Sequence, residues 1–181
     1  MQRHFIRLLS GNRPLIQRRC FLAGVLVVAA CATSSCSRVN DDAEINASLQ
    51  RRLAAVSARD IDGLMAYYVP DESLLVFDAM TPRQYVGAAV MRKNWESFLA
   101  DYPTTVRAEV SEWKTQTAGT LAAGHGIFRV VGLDKGGNPS DISVRFTDVF
   151  RKIDGKWLVT HEHVSWPVDL TTGKADLGSK P

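Results

Sequence analysis

The sequence predicts an α+β fold in which three N-terminal helices pack against a strongly curved antiparallel sheet. Apolar residues between positions 45 and 99 recur at helical spacing, whereas apolar and polar residues alternate with a period of two after Pro103. Turn-forming segments such as Asp154-Gly155 separate the alternating stretches. Helices that come first and strands that follow them are typical of an α+β domain and not of alternating βαβ units.

The first helix is predicted from the spacing of four apolar residues. These residues are Ile45, Leu49, Leu53 and Val56. Their intervals of four, four and three positions place them on one face of a helix, which is the face expected to contact the core. Asp41 and Asp42 precede this stripe and are candidates for the N-cap.

Two further helices are predicted before the chain turns to strands. Asp60 caps a short helix that buries Leu64, and Tyr67 or Tyr68 completes its buried side. The third helix begins after residue 87 and places an apolar stripe on one face. The members of that stripe are Met91, Trp95, Phe98 and Leu99.

Five strands are predicted from short apolar runs and from alternation. Residues 74–78 form an apolar run of the strand type between the second and third helices. The four longer strands cover about 104–115, 119–132, 140–153 and 156–166. A curved sheet of such strands against three helices leaves a concave pocket, and residues that point into it are the candidates for function.

Residues 1–31 are predicted to be an export signal. Five arginines and no acidic residue accompany an apolar run at 21–30, which is the composition of a removable signal. That run is about half of the ~20 apolar residues that a membrane-spanning helix needs. The segment RRCFL at 18–22 resembles the twin-arginine consensus, and VAAC ending at Cys31 resembles a lipobox whose cysteine becomes lipid-modified. Ordinary cleavage within 30–35 is the alternative.

After the signal, composition predicts a tether, one domain and a tail. Residues 32–42 are small and polar, which is typical of a flexible tether. Residues 43–168 have the length of one domain with its own core, and 169–181 form a polar tail. The protein is therefore expected in the periplasm or cell envelope, with a lipid on Cys31 as its only attachment to a membrane.

The predicted signal contains all of the excess positive charge. The full sequence has a net charge of +3, but five of its 22 basic residues and none of its 19 acidic residues lie in 1–31. No basic patch interleaved with aromatic residues remains, so nucleic acid is not an expected partner. All three cysteines precede the domain, which excludes disulfides within it. No glycine-rich phosphate loop is present, and no cofactor is expected.

Hairpin geometry predicts which residues face the concave side of the sheet. If the last turn is centred between residues 154 and 155, residues whose numbers sum to 309 oppose each other. Asp148 then opposes His161, and Phe146 opposes His163. The face that they share is mostly apolar, so it is the expected covered side. Its members are Val144, Phe146, Asp148, Phe150, Trp157, Val159, His161 and His163.

The predicted opposition of Asp148 and His161 has two interpretations. One is an acid/base pair whose pKa values an apolar pocket shifts toward the working pH. The other is a hydrogen-bonded pair that braces two strands, since buried ionisable groups are costly unless paired. His161 and His163 could share a metal ion only with His125 as a third ligand, and a metal site is not expected.

Five short segments of the chain occur in an order that is characteristic of one superfamily. They are Asp60-Ile61-Asp62-Gly63-Leu64, Phe77-Asp78, Tyr85-Val86-Gly87, the run from Thr147 to Lys152, and Gly155-Lys156-Trp157. This series resembles the SnoaL-like branch of the NTF2-like, ketosteroid-isomerase-like superfamily. The resemblance extends over roughly Asp42 to Val168 and implies a cone-shaped α+β barrel, within a superfamily whose members range from isomerases and dehydratases to proteins without a known reaction.

The resemblance implies roles for two aspartates. Asp78 matches the general base of ketosteroid isomerase, and Asp148 matches the aspartate that stays protonated and donates to the developing enolate. Arg52 stands where the isomerase has a tyrosine. An Arg52 guanidinium in the pocket would favour an anionic ligand and hold Asp148 ionised. If Arg52 faces solvent, the donor role of that tyrosine is either unfilled or taken by His161 or His125. Dehydratases of the superfamily use a histidine together with an aspartate. The resemblance implies that His161 and Asp78 could act in the same way.

The sequence therefore predicts an exported domain that binds a small, largely apolar organic molecule in its cone. The chemistry expected of it is cofactor-free proton transfer of the isomerase or dehydratase type, and the alternative is a non-catalytic ligand-binding or dimerising lipoprotein. The resemblance also implies a homodimer. The predicted catalytic residues are Asp78, Asp148 and His161. The predicted ligand-binding residues are His125, His163, Tyr85 and Trp95.

Overall fold

A computed structural model describes residues 40–177 of the chain. The predicted signal and Cys31 lie outside these residues. The helices are α1 (40–58), α2 (Ile61–Met65) and α3 (Ala88–Ala100). The strands are β1 (Leu75–Phe77), β2 (Tyr85–Val86), β3 (Val106–Ala118), β4 (Leu121–Leu133), β5 (Pro139–Ile153), β6 (Lys156–Ser165), β7 (Val168–Asp169) and β8 (Lys174–Ala175). The predicted α+β order is confirmed. None of the described helices is both long enough and apolar enough to cross a bilayer.

Six strands form one curved sheet in the order β2-β1-β6-β5-β4-β3. All neighbours are antiparallel except β1 and β6, which run parallel. The four long strands therefore form a meander, and the short pair β1-β2 extends it beyond β6. The concave face of this sheet meets the helices, and the hydrophobic core lies between the two layers.

The apolar stripe of α1 faces the core as its spacing predicts. Ile45 and Val56 are fully buried, and Leu49 and Leu53 are at most 9% exposed. Arg52 lies on the same side of the helix, because it is three positions from Leu49 and four from Val56. The helix that anchors the core thus also places a guanidinium in the interior.

The first turn of α1 includes residues that composition assigned to the tether. Residues 40–42 are helical, so Asp41 and Asp42 are not N-caps. Asp41 Oδ1 instead accepts hydrogen bonds from Lys152 Nζ (2.5 Å) and Trp157 Nε1 (3.2 Å), and the bond from Lys152 lowers the pKa of Asp41. Asp42 Oδ1 accepts from Thr117 Oγ1 at 2.7 Å. These bonds fasten the start of the helix to the sheet.

The other two helices begin where the sequence indicates. Asp60 caps α2, because its Oδ1 accepts a hydrogen bond from Gly63 N at 3.0 Å. Gly87 precedes α3 with φ at +87°, a backbone conformation that glycine adopts readily. Met91, Trp95 and Leu99 are the buried residues of α3.

The predicted polar tail contains ordered structure. Strands β7 and β8 pair as a small antiparallel hairpin that begins one residue before it. Leu177 O accepts a hydrogen bond from Ser143 N at 3.3 Å, and Trp166 Nε1 donates to Ser143 O at 2.9 Å. The end of the described chain therefore returns to β5, where β6 no longer pairs with it.

The β5-β6 hairpin departs from the predicted register at one residue. Pairing follows the prediction from Ile153 opposite Lys156 as far as Phe150 opposite Val159, and an irregularity then leaves Thr160 without a partner in the ladder. This β-bulge adds one residue to β6, and a shift of one residue reverses the face of each residue that follows. Beyond it, Glu162 opposes Asp148.

Two predicted cross-strand pairs are therefore wrong. Asp148 does not oppose His161, and Phe146 opposes Val164 and not His163. The predicted apolar residues of the concave face are otherwise correct before the bulge, where Phe150, Trp157 and Val159 are at most 3% exposed. After it, the concave face receives a glutamate, and the two histidines move to the convex face.

Candidate functional site

A cavity of about 540 Å³ lies between α3 and the concave face of the sheet. Its volume is within the range of sites that bind small organic molecules, which is roughly 300–1,000 Å³. Its walls are mostly apolar. The main apolar lining residues are Val76, Met91, Phe98, Phe128, Val130, Ile142, Val144, Phe146 and Val164.

Five polar residues form a cluster at the inner end of this cavity, and we call them the buried polar cluster. They are Arg52, Tyr67, Tyr68, Asp148 and Glu162. Arg52 Nη2 donates to Glu162 Oε1 at 2.6 Å, and Arg52 Nη1 lies 3.6 Å from Asp148 Oδ2. Each carboxyl group also accepts a hydrogen bond from one phenol: Tyr68 donates to Glu162 at 2.6 Å, and Tyr67 donates to Asp148 at 2.8 Å.

Four parts of the fold place the five members of the buried polar cluster. Arg52 comes from α1, and the two tyrosines come from the turn after α2, where backbone hydrogen bonds join Tyr67 and Val69 to Val159. Asp148 and Glu162 are opposite each other on β5 and β6. Only Arg52 and Glu162 line the cavity itself, so Asp148 lies behind them.

The surroundings of Asp148 in the buried polar cluster raise its pKa. Burial and, next to it, the negative charge of Glu162 together raise the pKa of Asp148 to about 8, against the opposing effects of Arg52 and of the Tyr67 hydrogen bond. Asp148 is therefore a neutral acid at pH 7. A pocket guanidinium was expected to hold Asp148 ionised. Arg52 does lower the pKa of Asp148, but burial and the charge of Glu162 outweigh it, and Glu162 takes the closer position on Arg52.

The guanidinium of Arg52 is surrounded by aromatic rings. Its carbon Cζ lies 4.8 Å from the ring centroid of Tyr67, 5.5 Å from those of Tyr68 and Trp95, and 5.3 Å from that of Phe128. Rings at these distances stabilise a cation that has lost its water. Burial lowers the pKa of Arg52, but Glu162 and the other negative groups of the cluster outweigh it and hold this pKa well above its ordinary value.

Asp78 lies on another part of the cavity wall, one residue after β1. Its side chain is half-buried, and it accepts hydrogen bonds from Asn94 Nδ2 (3.2 Å) and from Met80 N (3.3 Å). Burial raises the pKa of Asp78, and the charge of Glu162 adds to the increase, although both hydrogen bonds act in the opposite direction. Tyr85 and Trp95, two of the predicted ligand-binding residues, line the same cavity.

The three histidines that the sequence analysis selected do not line this cavity. His161 Nδ1 lies 2.9 Å from Leu75 O, and its ring packs edge-on against Phe77 on the convex face. His163 is exposed beside the same phenylalanine, because the bulge turned both residues outward. His125 is exposed opposite Thr147. Within residues 40–177 there is no group of three residues that could hold a metal ion.

Glu162 is a residue of the site that was not predicted from the sequence. Counting from the turn at 154–155 put it on the convex face, because the bulge could not be anticipated from the turn. A signal was nevertheless present on the other side of the residue: Glu162, Val164 and Trp166 alternate, and all three line the cavity. If the alternation of the strand is counted from its C-terminal end, it places Glu162 on the concave face.

Comparison with known proteins supports the fold. The family model of the SnoaL-like domain matches residues 45–169. An NTF2-like protein of unknown function from Pseudomonas putida KT2440 is 30% identical, with a TM-score of 0.70, over 79% of this chain and 98% of that one. The predicted SnoaL-like, NTF2-like resemblance is confirmed. No curated protein matches the chain.

More distant solved structures share the architecture alone. An NTF2-like superfamily protein from Salmonella enterica serovar Typhimurium LT2 is 15% identical, with a TM-score of 0.64, over 77% of this chain and 99% of that one. An NTF2-like protein of unknown function from Shewanella oneidensis MR-1 is 21% identical, with a TM-score of 0.54, over 69% of this chain and 98% of that one. At these identities the similarity concerns the fold, and the chemistry has to be argued from the residues of this chain.

Proposed function

Because this chain belongs to the SnoaL-like domain family, we propose that its cavity binds one small, largely apolar organic molecule and transfers a proton on it without a cofactor. One observation carries the proposal. A half-buried carboxyl group, Asp78, faces an apolar cavity of about 540 Å³ whose inner end holds the Arg52–Glu162 ion pair. A base beside an apolar site with a polar end is the arrangement that proton abstraction from carbon requires.

The walls of the cavity supply the binding energy in this proposal. Burial of apolar ligand surface is favourable by roughly 25 cal/mol per Å² removed from water, and the lining is mostly aliphatic and aromatic. Polar side chains interrupt it beside Asp78, at the Arg52–Glu162 pair, and at a further group that includes Ser97, Asp101, Asp134 and Lys135. The ligand that fits is therefore a largely apolar body that carries a polar group for the inner end.

Asp78 is the proposed general base. The hydrogen bonds from Asn94 and Met80 fix its orientation, and the raised pKa makes it a stronger base than an exposed aspartate. It would take a proton from a carbon of the ligand and return it at a second position. The positive charge of Arg52 at the inner end would stabilise negative charge that develops on the ligand meanwhile.

Asp148 has an indirect role in this proposal. Its side chain is fully buried behind Arg52 and outside the lining of the cavity, so it would act on the ligand through the guanidinium. As a neutral acid it leaves the positive charge of Arg52 balanced by Glu162 alone. His161 lies on the convex face, and we assign it no part in the chemistry.

Ligand occupancy of the native protein tests the proposal. Protein purified from its own host and examined by native mass spectrometry is expected to carry one bound organic molecule per chain, which is released on denaturation. The same protein should bind naphthalene-sized hydrocarbons with 1:1 stoichiometry. A cavity that excludes such compounds would contradict the proposal.

The alternative is a non-catalytic protein that binds a ligand or forms a homodimer. Exposed apolar side chains on the sheet favour association: Phe77 is 36% exposed and Val86 is 46% exposed on the neighbouring strands β1 and β2. We propose a homodimer through this part of the sheet. Analytical ultracentrifugation should find a dimer, and Phe77→Ser should weaken it.

We also propose that the protein is exported and attached to a membrane by a lipid on Cys31. The basic segment, the apolar run and the lipobox-like VAAC sequence support this location. A ligand-binding protein in the cell envelope would find no ready supply of nucleotide cofactors. This agrees with a proposed reaction that uses side chains alone.

A further inference from the structure

The convex face of the sheet, on the opposite side from the cavity, carries a patch of basic side chains. Four successive rows of cross-strand neighbours join positions 111–118 of β3 to β4, β5 and β6. These rows contain three exposed cations, two exposed histidines and no carboxylate. The five residues, which we call the convex basic patch, are Lys114, His125, Arg145, Arg151 and His163.

The protein itself does not neutralise the cations of the convex basic patch. None of the three belongs to an ion pair formed within residues 40–177. Glu112 lies in the β3 bulge outside the rows, and Asp71 interacts with Arg151 only beyond ion-pair distance. In the two rows beyond the patch, by contrast, both arginines pair with Glu109. Because acidic residues outnumber basic ones after position 31, this cationic surface is a local asymmetry that favours an anionic partner.

Apolar side chains are interleaved with these cations. Leu121 is 52% exposed and stands opposite Arg151, while Ile127 is partly exposed opposite Arg145. Val149 is partly exposed between the two arginines on β5, which are about 20 Å apart along the strand. Basic side chains mixed with apolar ones suit the boundary between lipid headgroups and acyl chains. The composition of the surface therefore favours a lipid bilayer over a purely polar anionic partner.

The first helix begins beside one end of the convex basic patch. Asp42, in the first turn of α1, accepts a hydrogen bond at 2.7 Å from Thr117, which is adjacent on β3 to the row of Arg151. The nine peptide bonds between Cys31 and residue 40 span at most about 30 Å. A lipid on Cys31 would therefore hold the Arg151 end of the patch within reach of the bilayer.

We propose that the convex basic patch docks on an anionic lipid surface, as a second membrane contact beside the proposed lipid on Cys31. A lipid chain and a basic patch together give a stable attachment where one such contact alone is marginal. A second copy of the chain is a less suitable partner, because a two-fold contact through this patch would bring the same cations together. The cavity lies on the other face of the sheet, so the inference does not depend on the reaction proposed there.

Vesicle sedimentation tests this contact. The experiment uses residues 32–181, because the predicted signal would itself bind lipid. The Pseudomonas putida protein, which is matched over 98% of its chain, shows that such a domain folds without a preceding segment. The domain is expected to sediment with phosphatidylcholine vesicles that contain phosphatidylglycerol, and not with phosphatidylcholine alone. High salt should release it, because salt screens exposed charges.

The double variant Lys114→Gln/Arg145→Gln assigns the binding to the patch. Its matched control is Arg51→Gln/Lys93→Gln, which removes one lysine and one arginine from the exposed surfaces of α1 and α3. Each cation near an anionic surface strengthens binding about fivefold, so the patch variant should bind about 25-fold more weakly and the control less than about twofold. Circular dichroism and thermal unfolding establish that both variants are folded.

Each other result overturns the inference. Equal binding to both kinds of vesicle would mean that anionic lipid is not recognised, and equal losses in the two variants would mean that the patch is not the contact. A domain that ignores the vesicles but is retained by immobilised polyglutamate would assign the patch to an acidic protein. If the patch variant instead changes the oligomeric state in analytical ultracentrifugation and leaves vesicle binding intact, the patch is an interface between copies.

Discussion

Arg52 and Glu162 form an ion pair in the interior of the protein, with Nη2 and Oε1 2.6 Å apart and both residues at most 3% exposed. They are 110 positions apart in the chain, so the pair joins the first helix to the last long strand. Because it also forms the polar end of the cavity, the pair links the stability of the domain to the properties of its proposed site.

Glu162→Gln tests that link. The substitution leaves the guanidinium buried without its closest counter-charge, and removal of one partner of a buried pair typically costs about 3–5 kcal/mol. Urea denaturation at pH 7 should show this loss in the free energy of unfolding. Glu109→Gln is the control, because its ion pairs with Arg107 and Arg129 are partly exposed and should contribute no more than about 1 kcal/mol. Equal losses in the two variants would contradict the interpretation.

Asp78→Asn tests the proposed base. With 2-acetylnaphthalene in D₂O, the wild-type protein is expected to accelerate exchange of the methyl protons next to the carbonyl, which proton NMR follows directly. The asparagine keeps the shape of the side chain but cannot take a proton, so exchange should fall to the rate without protein while the dissociation constant changes less than about threefold. Asp62→Asn, on the exposed side of α2, should leave exchange unchanged.

Ketone binding without exchange in the wild-type protein would favour the non-catalytic alternative. Exchange that survives Asp78→Asn would instead assign the base to another group of the cavity, of which Glu162 is the next candidate. The two results separate the question of whether the protein transfers protons from the question of which residue does so.

The stability of the domain should fall as pH rises from about 4 to about 8. The pKa of Asp148 is raised from its ordinary value of 3.8 to about 8, so in this interval the folded protein keeps a proton that the unfolded chain releases. The stabilisation is complete below the lower value and is lost as pH approaches the upper one. Asp148 alone contributes a slope of at most about 1.4 kcal/mol per pH unit. Asp78, whose pKa is also raised, adds to this slope in the same direction.

Urea denaturation at unit intervals from pH 5 to pH 9 measures this dependence. Asp148→Asn is expected to remove most of the slope, because an amide near Arg52 and Tyr67 does not titrate. Asp154→Asn, in the exposed turn between β5 and β6, should preserve the slope. A wild-type stability that increases over this range would contradict a neutral Asp148.

Cys31→Ser tests the membrane anchor. If the cysteine is lipid-modified, cells that express the full chain and are supplied with radioactive fatty acid should label the wild-type protein and not this variant. Cys36→Ser is the control, because it removes a nearby cysteine outside the VAAC sequence and should retain the label. Label that persists in Cys31→Ser would contradict the proposed anchor.

The elements of the fold could be predicted from the sequence because their signals are local. The α1 stripe, the Asp60 cap and the stripe of α3 each depend on residues within a few turns of one helix. The turn at 154–155 likewise fixed the first four pairs of the β5-β6 hairpin. Such features follow from periodicity and capping alone.

The candidate site was predicted only in part because it depends on contacts between distant elements. Asp78 and Asp148 lie near the interior, and burial raises the pKa of both. The charge of Glu162, which the bulge at Thr160 brings inside, adds to both shifts. Nothing within the hairpin turn encodes that bulge. The orientation of Arg52 was left open for the same reason, because it is decided by a partner on β6.

In the His-Glu-His triplet at 161–163, the carboxylate and the two imidazoles face opposite sides of the sheet, because neighbouring residues of a strand alternate. With the bulge, a carboxylate stands at the end of the cavity; in a regular ladder of the same length, the imidazoles would stand there. A relative with the same three residues could therefore have a basic site where this protein has an acidic one. Functional comparison within the family should count the residues between the last turn and this triplet before it compares their types.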